Sequence, residues 1–191
     1  MINLTCGLPA FVEYGGTRYD IYTDFRVWIR LEHILLSKEM AAEEKAVEMM
    51  RLCYCSKLPP DAETAVRLLV RFYCGGNNSE QRGSAKRGSA AIYDFQHDAE
   101  LFYAAFLEQY GIDLTKDKLH WWKFLALFRG ISENSRLYQA MRWRAMDLSG
   151  VSDQRQKRFY RKMKQIYRLP DLRNRAEADG DLAETLSKMM V

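Results

Sequence analysis

The sequence predicts a mainly α protein: a helical domain of about seven helices with a small N-terminal β-hairpin. Three features of the chain carry that expectation. Apolar residues recur at i, i+3, i+4 and i+7 through most long segments, which is the period of a helix with one buried face. A single short alternating stretch near the start is closed by Gly15-Gly16. Glycine and proline pairs punctuate what remains.

Taken in order, "FVEYGGTRYDI" is the hairpin, because a two-residue primed turn needs positive φ at both central positions. That turn pairs Tyr14 with Thr17, Glu13 with Arg18 and Val12 with Tyr19, leaving Val12, Tyr14, Tyr19 and Ile21 on one face. Two strands alone are marginal, so the hairpin must lie against helices. Thr23 or Asp24 caps the first helix, in which Phe25, Trp28, Ile29, Glu32 and Leu36 keep the helical rhythm. A second helix spans roughly 40–55 and stops before Pro59-Pro60. Asp61 caps a third, which ends at Gly75-Gly76. A fourth, "DFQHDAELFYAAFLEQYGIDL", closes at Tyr110-Gly111, and a fifth covers roughly 116–129. Ser132 and Glu133 begin the sixth, while Ser152 or Asp153 begins the seventh, which Pro170 follows.

Organisation along the chain follows composition. Residues 1–75 hold the hairpin and three helices, and 92–170 form a C-terminal four-helix part with an aromatic core. Between them 76–91, rich in Gly, Ser and Asn and writing "RGSA" twice, is a flexible linker. The charged tail 171–191, with its weak amphipathic turn "LAETLSKMM", is expected to be partly disordered. A chain of 191 residues buries a core without staples. No run reaches the length of a membrane span, and "MINLTCGLPAFVEY" has no secretory pattern, so the cytoplasm is the expected compartment and no membrane partner is expected. Cys6, Cys53, Cys55 and Cys74 read as free thiols, buried rather than paired.

The densest apolar run is "LHWWKFLALF", 119–128. On a helix Trp121, Phe124, Leu125 and Phe128 share one face, while Leu119, Trp122 and Ala126 share another. A helix apolar over most of its circumference is packed between neighbours. This places Trp28, Trp121, Trp122, Phe124, Phe128 and Trp143 in the core, with His120 and Lys123 at the helix edge.

Candidate chemistry is sparse. His33, His97 and His120 lack a nucleophile or metal-ligand spacing around them, and Asp94, Asp98 and Glu100 read as charges favouring a helix N-terminus. The near-match Gly83-x-x-x-x-Gly88-Ser89 lacks the lysine and the preceding strand that a phosphate loop requires. No catalytic, cofactor or metal residues are assigned, and the expectation is a protein that is not an enzyme. One surface feature stands out. Arg155, Lys157, Arg158, Arg161, Lys162, Lys164 and Arg168 crowd the seventh helix without an acid among them, forming a basic surface for a partner. Phe159, Tyr160, Met163, Ile166 and Tyr167 make the apolar stripe of that helix.

Several blocks together carry a family resemblance. "YDIYTDFRVWIRLE", "IYDFQHDAELFYAAFLEQYGIDL", "LHWWKFLALFRGI", "MRWRAMDLSGV" and "FYRKMKQIYRLP" resemble, in order over residues 16–170, a family from phages and prophages of Gram-positive bacteria. Its genes typically sit beside the tape-measure gene of long-tailed phages. The resemblance implies a tail assembly chaperone, a non-enzymatic protein that holds the tape-measure protein soluble, helps recruit tail-tube subunits and is absent from the mature virion. The alternatives are a small nucleic-acid-associated phage protein using helix 152–168, which no recognition signature supports, and a structural tail component. Homo-oligomerisation stays open, as does action within a frameshifted fusion.

Overall fold

Strands β1 (Phe11–Tyr14) and β2 (Thr17–Asp20) pair antiparallel in the expected register, Glu13 opposite Arg18 and Val12 opposite Tyr19. Gly15 and Gly16 take φ of 56° and 74°, as the primed turn demands. These strands belong to a computed structural model that describes residues 2–37, 39–76 and 91–170. The linker 76–91, apart from its two end residues, the phosphate-loop near-match and the tail 171–191 lie outside the described residues. Within them stand seven helices: α1 (Phe25–Leu36), α2 (Ala42–Cys53), α3 (Ala62–Tyr73), α4 (Ala99–Tyr110), α5 (Trp121–Arg129), α6 (Arg136–Ala145) and α7 (Gln154–Ile166). The protein is thus mainly α with one small hairpin.

Two compact units make up the chain, and they are not its consecutive halves. The first comprises Met1–Ser89 and Tyr103–Ser132, the second Ala90–Phe102 and Glu133–Val191. The aromatic helix α5 therefore belongs with α1 and α3 and not with α6 and α7. Backbone and rings both explain why. Phe25 N–H donates to the Leu119 carbonyl at 2.9 Å and Trp121 N–H to that of Thr23 at 2.7 Å, so α1 and α5 start side by side. Trp121 then stacks on Trp28, Tyr73 and Phe124, and Phe124 lies between Phe25 and Phe106 at 4.9 Å from each. The indole N–H of Trp121 donates to the Tyr73 carbonyl and that of Trp122 to Phe72, which ties α5 to the end of α3.

Elsewhere in the first unit, α2 packs between α1 and α3. After α2 the chain pairs Tyr54 with Ile21, extending the hairpin edge, and the Tyr54 hydroxyl donates to the Ala65 carbonyl of α3. The Asp24 carboxylate caps α1, Asp61 caps α3, and Gly75 and Gly76 end α3 at φ of 77° and 81°. The buried side of α1 is Phe25, Trp28 and Leu31. Leu36, expected on that side, points to solvent in the last turn. Helix α5 begins at Trp121 and not near 116, because Asp113 closes the preceding turns onto Thr115, Lys116 and Asp117. His120, expected on the helix edge, is instead its N-cap.

In the second unit α6 packs on α7, Trp143 meeting Phe159 and Tyr160. Ser135 caps α6, three residues later than Ser132, since its hydroxyl is the acceptor of the Tyr138 N–H. Asp98 is 2% exposed and forms a two-pronged pair with Arg144 at 2.6 and 2.8 Å. Asp98 is therefore a buried partner, not a solvated dipole charge. Arg144 also reaches the carbonyls of Ile92 and Tyr167, so one guanidinium fastens three segments.

Candidate functional site

Two surface features stand out among the described residues, one in each unit. The larger is a groove of about 1030 Å³ between α2 and α3, closed at one side by Glu13 and Tyr14 of the hairpin. Ala46, Val47 and Met50 from α2 face Val66 and Val70 from α3. Each helix turns its i, i+4, i+8 row toward the trough, Ala42-Ala46-Met50 on one wall and Ala62-Val66-Val70 on the other. Val47 is 57% exposed, although its neighbour Met49 is buried on the opposite side of the same helix. Leu68 adds to the apolar lining, and Glu43, Glu63, Arg67 and Arg71 bring both signs of charge. Small side chains on both walls leave room for a helix to lie along it, over about 12 Å or two turns.

The smaller surface is the outward side of α7. Asp153 caps the helix, as expected, by accepting the Arg155 N–H. Of the seven basic residues, Arg155, Arg158, Arg161, Lys162 and Arg168 are exposed, while Lys157 and Lys164 are half-buried. The Lys164 ammonium donates to the Met146 carbonyl at 2.6 Å and so anchors α7 to the end of α6. None of the seven forms an ion pair with a described carboxylate. The expected apolar stripe divides. Tyr160, Met163 and Tyr167 are half-buried, but Phe159 is 52% and Ile166 61% exposed. Those two sit at the rim of the stripe, where Phe159, four residues before Met163, still meets Trp143 edge-on.

The groups that chemistry would need are scattered. His33 and His97 are exposed. Cys53 is buried, and that burial pushes its thiol up to about 12, which keeps it protonated. Cys74 is buried too, whereas Cys6 and Cys55 are exposed, so only half of the thiols follow the expected burial. Among the described residues no three His, Cys, Asp or Glu side chains are grouped to hold a metal ion. No described helix is long and apolar enough to cross a membrane.

His120 has a structural task. Its Nδ1 accepts the Trp122 N–H at 3.0 Å, and its Nε2 lies 3.1 Å from the Pro9 carbonyl. Both bonds are made by the neutral ring carrying its proton on Nε2. Burial holds the imidazole below its ordinary 6.5, against the Pro9 carbonyl, which raises it, and with Lys123 adding to the fall. A folded-state value below the unfolded one means that the unfolded chain binds the proton more readily. This contribution to stability is thus complete above 6.5 and is lost as pH falls below it. The melting temperature is expected to drop between about pH 7 and pH 5, and His120→Asn, which keeps a capping oxygen, should remove that part of the slope. An unchanged slope in the variant would show that His120 is not the titrating group. The carboxylates held low, Asp61, Asp113 and Asp147, act only at more acidic pH.

Of the aromatic residues expected in the core, Trp28, Trp121 and Phe124 are completely buried. Trp122, Phe128 and Trp143 are half-buried. The α2–α3 groove was not among the expected sites. Its signal was present: α3 has Val66 and Val70 beyond the apolar residues that one packing face uses, Ala65, Leu68, Leu69 and Phe72. A helix apolar on two sides carries one face for the core and another for something else.

Compared with known proteins, residues 4–169 match the family model described as "Bacteriophage Gp15 protein". No curated protein and no solved structure matches the chain.

Proposed function

Because the chain belongs to the bacteriophage Gp15 family and is thus a phage protein, we propose that it is a tail assembly chaperone without enzymatic activity, whose partner is the tape-measure protein. The observation that carries this reading is the α2–α3 groove. A tape-measure protein is a long helix with an apolar stripe, and such a stripe aggregates unless something covers it. The groove offers two parallel rows of small apolar side chains at helical spacing, which is what a helix-in-groove contact needs. Charges of both signs around the trough suit a partner whose polar face is mixed. On this reading the protein works in the host cytoplasm, helps bring tail-tube subunits to the tape measure and leaves before the particle is complete.

A second reading has its own observation. Four exposed cations on α7, and Arg168 just beyond it, have no ion-pair partner among the described residues, and a phosphate backbone would satisfy them. Against it, Phe159 and Ile166 stand beside Arg155, Arg158 and Lys162 and gain nothing from phosphate.

Co-expression with the neighbouring tape-measure gene, followed by co-purification, tests the proposal. Soluble tape-measure fragments should be retained, and retention should survive raised salt because apolar burial is not screened. Duplex DNA binding should be weak and should collapse between about 50 and 200 mM salt. No retained fragment together with tight, sequence-selective DNA binding would overturn the proposal in favour of the basic helix. Finding the protein in purified particles would make it a structural tail component instead.

A further inference from the structure

The charges around the α2–α3 groove stand in an order that can satisfy itself. The Tyr54 hydroxyl, at the end of α2, reaches the Ala65 carbonyl near the start of α3. The two helices therefore run antiparallel, and the first turn of α2 lies beside the last turn of α3. Next to each apolar row, one position further round, runs a rim. On α3 it reads Glu63, Arg67, Arg71, and on α2 it reads Glu43, Val47. Glu43 and Arg71 thus stand at the same end of the trough on opposite rims. Both are exposed, and neither forms an ion pair with a described residue.

An apolar trough with an acid on one rim and a base at the same level on the other is its own complement under a twofold axis. Turning a second copy about an axis along the groove lays α2 of each copy against α3 of the other, with neighbouring helices antiparallel. Such a rotation leaves the level along the groove unchanged. Glu43 of one copy therefore meets Arg71 of the other, twice in one interface. Val47, 57% exposed in the single chain, enters the trough of the other copy. We propose that the occupant of the α2–α3 groove in the free protein is a second copy of this chain, the two α2–α3 pairs closing into a four-helix bundle. The apolar rows supply the attraction, and the two charge pairs fix the register. A second copy and a tape-measure helix exclude each other from this groove. Only that competition rests on the proposed function; the pairing itself does not.

Sedimentation velocity of the full chain over a range of micromolar concentrations tests this, with no tape-measure fragment present. The unaltered chain should show a concentration-dependent equilibrium between monomer and dimer. Glu43→Arg and Arg71→Glu each set like charges opposite each other at both places in the interface. Each should raise the dimer dissociation constant about tenfold or more. Mixing the two variants in equal amounts should restore a dimer, because the mixed pair alone sets acid against base at both places. The Glu43→Arg/Arg71→Glu double variant should recover self-association for the same reason. A chain that stays monomeric throughout overturns the proposal, and so does a dimer that neither variant weakens. Loss in both variants without recovery in the mixture overturns it too, since the two residues would then not face each other.

Discussion

Replacing Trp121 by Ala is expected to cost about 3–5 kcal/mol of unfolding free energy, the range for truncating a large core aromatic. Trp121 is fully buried, lies against Trp28, Tyr73 and Phe124, and spends its one indole donor on the Tyr73 carbonyl. Alanine removes the rings' common neighbour and also the indole donor to the part-buried Tyr73 carbonyl. The surrounding wall is other aromatic rings, which are rigid and collapse poorly into a void. Trp122 makes the analogous bond to Phe72 but is half-buried, so Trp122→Ala should cost less. Denaturant unfolding of the two variants beside the unaltered chain checks both the size and the order. A near-neutral Trp121→Ala would mean that α5 is not the centre of its unit.

The second large effect is expected at the pair Asp98–Arg144. With side chains 2% and 6% exposed, neither charge has water to fall back on. Removing Arg144 strands a buried carboxylate and two carbonyls, those of Ile92 and Tyr167, and should cost about 3–5 kcal/mol. Asp98→Ala should cost a similar amount, because it leaves the guanidinium uncompensated. The double variant should cost clearly less than the sum of the two, the signature of residues whose penalties arise from each other's absence. Additive costs in the double-mutant cycle would show that the two do not act as a pair.

What could be read from the chain beforehand divides along a physical line. Local signals were sound. The Gly15-Gly16 turn set the hairpin register, Asp24, Asp61 and Asp153 capped the helices they precede, and Gly75-Gly76 ended α3. Each of these depends on residues within one turn of each other. Long-range pairings were not legible, since nothing near Asp98 announces Arg144, and nothing near His120 announces Pro9 or the start of α1. The same limit explains the division into units. The aromatic pattern of α5 says that it is surrounded, but not by which helices. For α7, periodicity gave one apolar stripe, whereas the fold half-buries Tyr160, Met163 and Tyr167 and leaves Ile166, and more than half of Phe159, to solvent. The α2–α3 groove was hidden for a related reason. An apolar residue that faces an unfilled groove looks the same in sequence as one that faces the core.

The central claim, that an apolar groove and not a basic helix receives the tape measure, is tested most directly by comparing two variants in one retention assay. Val47→Asp places a charge in the trough at an exposed position, where it should leave folding intact. Arg158→Glu/Arg161→Glu/Lys162→Glu reverses the exposed face of α7. The account predicts that Val47→Asp weakens retention of a tape-measure fragment about tenfold or more, roughly the cost of burying an unpaired polar group. It predicts that the α7 reversal slows association yet leaves the washed complex nearly intact, as loss of charge steering does. Unchanged retention by Val47→Asp, with loss on reversing α7, would contradict it.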